Sequence, residues 1–221
     1  GDVYKRQVQA GTIKTAGSLA EIPQKILDGK IDAISLVLKF DSGRNGEAAT
    51  FSDLITNNDA LILKGPSGAV LPAAPTGLQY SADAGKSWAN DLETFRGVGG
   101  TNSILLRFKN ENGLSSKSSS PLTFTLDNIK PLSPSIGLKV DSGVSANDRI
   151  TKIAATAADF STGVVEAGTR LEFSLNDGAW LQDIKPIEGA NSLRIRAVDL
   201  AGNLSDASPR FDFTLDTKVA V

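Results

Sequence analysis

The chain has 221 residues, 40% of them hydrophobic and 6% aromatic, with 23 Lys plus Arg against 25 Asp plus Glu, a formal net charge of −2. So balanced a charge excludes a general electrostatic pull toward nucleic acid or an anionic membrane, and no run approaches the roughly 18 consecutive apolar residues of a membrane span. Cys, His and Met are all absent, which removes thiol nucleophiles, imidazole bases, Cys/His zinc sites and Ser-His-Asp triads, and leaves carboxylates, ligands for hard cations such as calcium.

In chain order, residues 1–7 stand apart. Asp2 to Gln7 reads as the translated end of a sequencing-library transposon and is set aside as an artefact. The opening residues show no apolar core followed by a small-residue cleavage site. Residues 8–28 read as the last two strands of a truncated preceding copy of a repeat, with Ala16-Gly17-Ser18-Leu19 in the place of Ala201-Gly202-Asn203-Leu204. Ser18 to Glu21 also has the form of a helix capping box, but Pro23 and the repeat favour a strand there.

Residues 29–127 and 128–216 are the two full copies, and 217–221 begin a linker toward a following one. Leu38-Lys39-Phe40-Asp41-Ser42-Gly43 recurs as Leu138-Lys139-Val140-Asp141-Ser142-Gly143, at an offset of 100. The later blocks follow in the same order. Asp53 to Thr56 answers Asp148 to Thr151, Leu78 to Trp88 answers Leu171 to Trp180, Asn102 to Arg107 answers Asn191 to Arg196, and Phe124 to Asp127 answers Phe213 to Asp216, at an offset of 89. Short loop insertions in the first copy account for the drift; its Asp41–Asp53 loop is longer than Asp141–Asp148.

Within each copy the apolar period is mostly two. Leu171, Phe173 and Leu175 alternate with Glu172, Ser174 and Asn176, Leu193, Ile195 and Ala197 with Arg194, Arg196 and Val198, and Phe211, Phe213 and Leu215 with Asp212 and Thr214, which marks strands with one buried face. Asn176-Asp177-Gly178 signals a hairpin, with Asp-Gly expected to supply the positive φ, and Gly202-Asn203 a second turn. The expected architecture is all-β: tandem two-sheet sandwich modules in an extended array. Trp88 and Trp180 are expected as core plugs rather than half-exposed strand residues. The Ser115–Ser120 run reads as an exposed loop, and Glu166, Glu172 and Glu188 as solvated acids in unrelated positions rather than a glycosidase pair.

Three blocks of the second copy carry a family resemblance: Asp141 to Thr151, Glu172 to Trp180, and Arg196 to Ser205. Together they resemble the bacterial immunoglobulin-like repeats of large surface adhesins and biofilm-associated proteins. The first copy departs from the pattern at Arg107-Phe-Lys-Asn-Glu-Asn-Gly113. The resemblance implies stiffened modules on a bacterial cell surface, partnered by neighbouring repeats of the same chain, with an unknown distal host or surface ligand and often calcium at the joints.

Candidate calcium ligands are the recurring Asp28, Asp127 and Asp216, the loop residues Asp41, Asp53, Asp141 and Asp148, and Asp199 with Asn203. The competing account makes them turn formers, since Asp and Asn fill turns for backbone reasons alone. Two functions stand: a structural spacer in an extracellular adhesin, without catalysis, or a glycan- or protein-binding module appended to an extracellular enzyme. Burial of both tryptophans favours the first; a groove beside either favours the second.

Overall fold

A computed structural model describes residues 34–65 and 67–218. The readings for residues 1–7 and 8–28, Asp28 among them, lie outside this range. The described residues fall into two compact units, one running up to Ser42 and resuming over Ala48–Asn128, the other made of Gly43–Glu47 and the residues from Ile129 onward. The sequence boundaries drawn at 29–127 and 128–216 make no provision for Gly43–Glu47. Gly43 answers Gly143, and Arg44 to Glu47 lie in the stretch where the Asp41–Asp53 loop is five residues longer than Asp141–Asp148.

In unit 1, β1 (Ser35–Leu38) pairs antiparallel with β3 (Leu61–Lys64). A second sheet runs β2 (Ile55–Thr56), β6 (Leu122–Leu126), β5 (Gly100–Phe108), β4 (Leu78–Ser81), with β2 parallel to β6. Leu36 and Leu38 from the first sheet meet Ile104, Leu106 and Phe124 from the second, and Phe95 closes the gap edge-on to Phe124. Each alternate residue turned inward contributes apolar area worth about 25 cal/mol per Å², so the period-two pattern is what closes the two sheets on each other.

Unit 2 repeats the plan, with one more edge strand in its larger sheet. Strand β7 (Ile136–Leu138) pairs with β9 (Phe160–Thr162). The larger sheet runs β8 (Ile150–Thr151), β13 (Phe211–Leu215), β12 (Gly189–Val198), β10 (Arg170–Leu175), β11 (Trp180–Leu181), again with the first pair parallel. Leu193 and Ile195 are fully buried, and Phe160 packs edge-on against Phe213 with ring centroids 5.1 Å apart. The fold is therefore all-β, and each unit is a two-sheet sandwich. Helix among the described residues is limited to the 3-10 turns Ala48–Phe51, Leu92–Thr94 and Ala157–Asp159.

The hairpin between β10 and β11 forms where expected, with a different phase. Positive φ falls on Asn176 (51°) and Asp177 (57°), and the Gly178 amide donates to Leu175 O. Asn and Asp accept the left-handed region through local side-chain bonding, so both central positions of the turn are filled without glycine.

Candidate functional site

The predicted aspartates occupy matched turns in the two units. Asp41 Oδ2 accepts from the Leu54 amide at 3.0 Å, and Asp141 Oδ2 from the Arg149 amide at 2.9 Å. Leu54 and Arg149 both carry positive φ, 61° and 59°. Asp53 Oδ1 then accepts from the Ile55 amide, and Asp148 Oδ1 from Ile150. Each pair of carboxylates thus holds a strained bend that launches the short parallel strand, β2 or β8. The hydroxyls of Thr56 and Thr151, buried under the same loops, donate to Phe40 O and Val140 O.

One oxygen in each loop is left over. Asp41 Oδ1 and Asp141 Oδ1 are buried without a hydrogen-bond partner. Burial raises the Asp41 carboxyl above its usual range; the Leu54 amide offsets part of this and the nearby Asp53 charge adds to it.

Asp127 and Asp216 follow β6 and β13, and their amides donate to Thr56 O and Thr151 O, extending the parallel pairing by one bond. The Asp216 carboxylate accepts from the Lys218 amide. Asp199 is buried at the turn after β12. Its two oxygens accept from the amide and side-chain nitrogen of Asn203, both at 2.8 Å. Asn110 plays the same part in unit 1, accepting from the Leu114 amide. Among the described residues no three acidic side chains gather closely enough to hold a metal ion. The donors have the right chemistry for a hard cation, but they fall well short of the about six to eight oxygens calcium takes.

Both tryptophans differ from expectation. Trp88 and Trp180 are half-buried on the outer face of the larger sheets, not core plugs. Arg107 stacks over Trp88 at 4.1 Å from its ring centroid, and Arg196 over Trp180 at 4.5 Å. Next to each arginine sits a matched acceptor, Gln79 in unit 1 and Glu172 in unit 2. An indole roofed by a guanidinium gains a cation–π contact worth about 0.5–2 kcal/mol while leaving its rim wet, so the core needs no tryptophan. Trp88 also borders a groove of about 290 Å³ with Tyr80, Ser81, Asp83 and Ser87. Asp83, held by Ser87 and Ser81, is pulled down to a pKa of about 2. A second groove, about 410 Å³, runs past Arg149, Arg210, Asp148 and Asp212 in unit 2. Its charges of both signs offset each other.

Glu172 is likewise not a solvated acid. It is buried, bonded to Arg170 at 2.7 Å and to Arg196 at 2.7 and 2.9 Å. Burial alone would raise its carboxyl, but the hydrogen bonds and charges of Arg196 and Arg170 outweigh that and hold it below its usual range.

Sequence reasoning also missed a serine ladder. Ser205 and Ser208 accept, through their hydroxyls, from the Ala197 and Ile195 amides, while their own amides donate to the carbonyls of the same two residues. Ser116 and Ser119 do the same for Phe108 and Leu106. The Ser115–Ser120 run is therefore partly an edge seam rather than a loop alone. The Ser-x-x-Ser spacing, common to both copies, was the available signal.

No protein-family model and no curated protein matches this sequence. Among solved structures, the chain is similar to one described as "Structures of Clostridium thermocellum CbhA fibronectin(III)-like modules". The identity is 11% and the TM-score 0.42, over 83% of this chain and 94% of that chain.

Proposed function

We propose that the two units are non-catalytic spacer modules of a larger extracellular adhesin, contributing length and stiffness to cell-surface attachment or biofilm. The observation that carries this reading is where the polar groups are spent. Asp41, Asp53, Asp141, Asp148 and Asp199 each close a turn of their own unit, and Glu172 serves two arginines. What remains is a pair of sandwiches built to the same plan, which suits repetition better than catalysis.

The binding-module reading has one observation in its favour, the groove beside Trp88. A glycan array and host-protein panel probed with the full chain separates the two. The spacer reading expects no specific binding. Saturable binding to one glycan class, lost in Trp88→Ala and kept in Trp180→Ala, would replace it with the binding reading.

Calcium stiffening belongs to the same proposal. Its support is the recurrence of Asp28, Asp127 and Asp216 in the sequence, together with the matched unpartnered oxygens of Asp41 and Asp141. Calcium titration followed by thermal unfolding tests it, as argued below.

A further inference from the structure

We infer that Gly43–Glu47 is an integral clasp of unit 2, completing an ion ladder that the contiguous sequence of that unit cannot complete by itself. Three observations carry this. First, these five residues cluster with Ile129–Val221, while Ser42 and Ala48 on either side cluster with unit 1. Second, Arg170 sits with its side chain only 11% exposed and reaches both Glu47 Oε1 at 2.8 Å and Asn45 O at 2.9 Å. Arg44 in turn bonds Glu47 at 2.6 Å and donates to Gly168 O at 3.0 Å. Charges then alternate without a break along Arg44, Glu47, Arg170, Glu172 and Arg196. Removing Glu47 leaves two guanidinium groups, Arg170 and Arg196, sharing the single buried carboxylate of Glu172.

Third, the backbones meet. A Cβ on Gly202 would come within 2.5 Å of Gly43 O, whereas one on Gly113, its counterpart in unit 1, meets nothing closer than Lys109 Cε at 4.0 Å. The two glycines have nearly equal φ, 83° and 82°, so the difference between them is the clasp.

Among the described residues the pairing is written once. At the position of Arg170 the first copy has Gly77, where a Cβ would lie 2.4 Å from Lys109 O. No side chain fits there to receive a clasp. Conversely, the longer loop between Asp41 and Asp53 is what supplies one.

The test uses the full chain and hydrogen exchange read separately over β4–β5 and β10–β12. Glu47→Ala, and deletion of Gly43–Glu47, should each speed exchange in β10 and β12 on the order of tenfold while β4 and β5 keep their rates. The deletion restores the Asp41–Asp53 spacing to that of Asp141–Asp148, a spacing with which the second copy forms the same bend. Gly202→Ala should act on β12 more strongly than Gly113→Ala acts on β5. Unchanged exchange in β10 and β12 for Glu47→Ala would overturn the clasp, as would an effect confined to β4 and β5. If the deleted chain loses unit 1 as well, Glu47→Ala, which keeps the loop, decides.

Discussion

The guanidinium of Arg196 lies between two groups: its plane covers the Trp180 indole at 4.5 Å, and its Nε and Nη2 both bond Glu172 Oε2. Arg107 repeats the arrangement over Trp88, with Gln79 as the acceptor. Glu172 is thus the hinge of a stack, and its loss should be felt more than that of any other acid in unit 2. Glu172→Ala leaves Arg170 and Arg196 without their shared carboxylate and should cost unit 2 about 2–3 kcal/mol. Glu172→Gln should cost roughly half as much, because in unit 1 the Gln79 amide oxygen holds Arg107, the counterpart of Arg196. Urea unfolding followed by Trp180 fluorescence in a Trp88→Phe background reads unit 2 alone. Equal stability of Glu172→Ala and the parent would refute the hinge role.

The serine seam gives a second expectation. Ser208 and Ser205 supply the acceptors for two buried amides of β12. Ser208→Ala or Ser205→Ala should leave an amide unpaired and destabilise unit 2 by about 1–3 kcal/mol each. Ser116→Ala and Ser119→Ala, at half-buried positions where water can substitute, should cost unit 1 less. Faster exchange at the Ile195 and Ala197 amides is the direct readout. If those amides stay as protected as in the parent, the hydroxyls are not their partners.

Much of this was legible in the sequence because period two and the repeat register report the same thing. Phe124 and Phe213, or Asn102 and Asn191, hold the same rungs of their sheets, and alternation alone shows which way their neighbours face. What alternation cannot show is how an outward residue is partnered. Trp180 and Arg196 lie on outward faces, so their pairing depends on strands adjacent only in the folded sheet. Glu172 looks like a solvated acid for the same reason. The aspartates were legible as a class and not as a role, since a residue that caps a bend and one that binds a cation share the same chemistry.

Calcium gives a third expectation, resting on the proposal above. Calcium added to the chelator-treated chain should raise the melting temperature, and Asp127→Ala should abolish the rise. The partnerless oxygens of Asp41 and Asp141 give the ion a foothold in each unit. Magnesium, which demands a tighter octahedral shell, should act more weakly. A melting temperature indifferent to calcium would leave the aspartates as turn formers only.

The acid limb of stability gives the last expectation. Glu172 and Asp159 both titrate below their usual ranges, Glu172 through Arg196 and Arg170 acting against burial, Asp159 chiefly through the Thr156 and Ala155 amides. A carboxyl whose folded pKa is depressed contributes stability above its unfolded value, and that contribution is lost as pH falls through the folded value. Unit 2 should therefore weaken progressively below a pH of about 4.5, the ordinary value for a glutamate. Asp41 has the opposite sign: its folded pKa is raised, so its contribution is present at low pH and disappears as pH rises through that folded value. Unit 1 carries this opposing group against Asp83, whose carboxyl is held down from an ordinary 3.8 to about 2, so its acid limb should begin at a lower pH than that of unit 2. Urea midpoints measured from pH 3 to 7, with Trp88 and Trp180 read one at a time, check the ordering. In Glu172→Gln the acid limb of unit 2 should flatten, since the residue that sheds its charge-stabilised bonds on protonation is gone. An unchanged slope in that variant would mean that the depression of Glu172 is not what links unit 2 to pH.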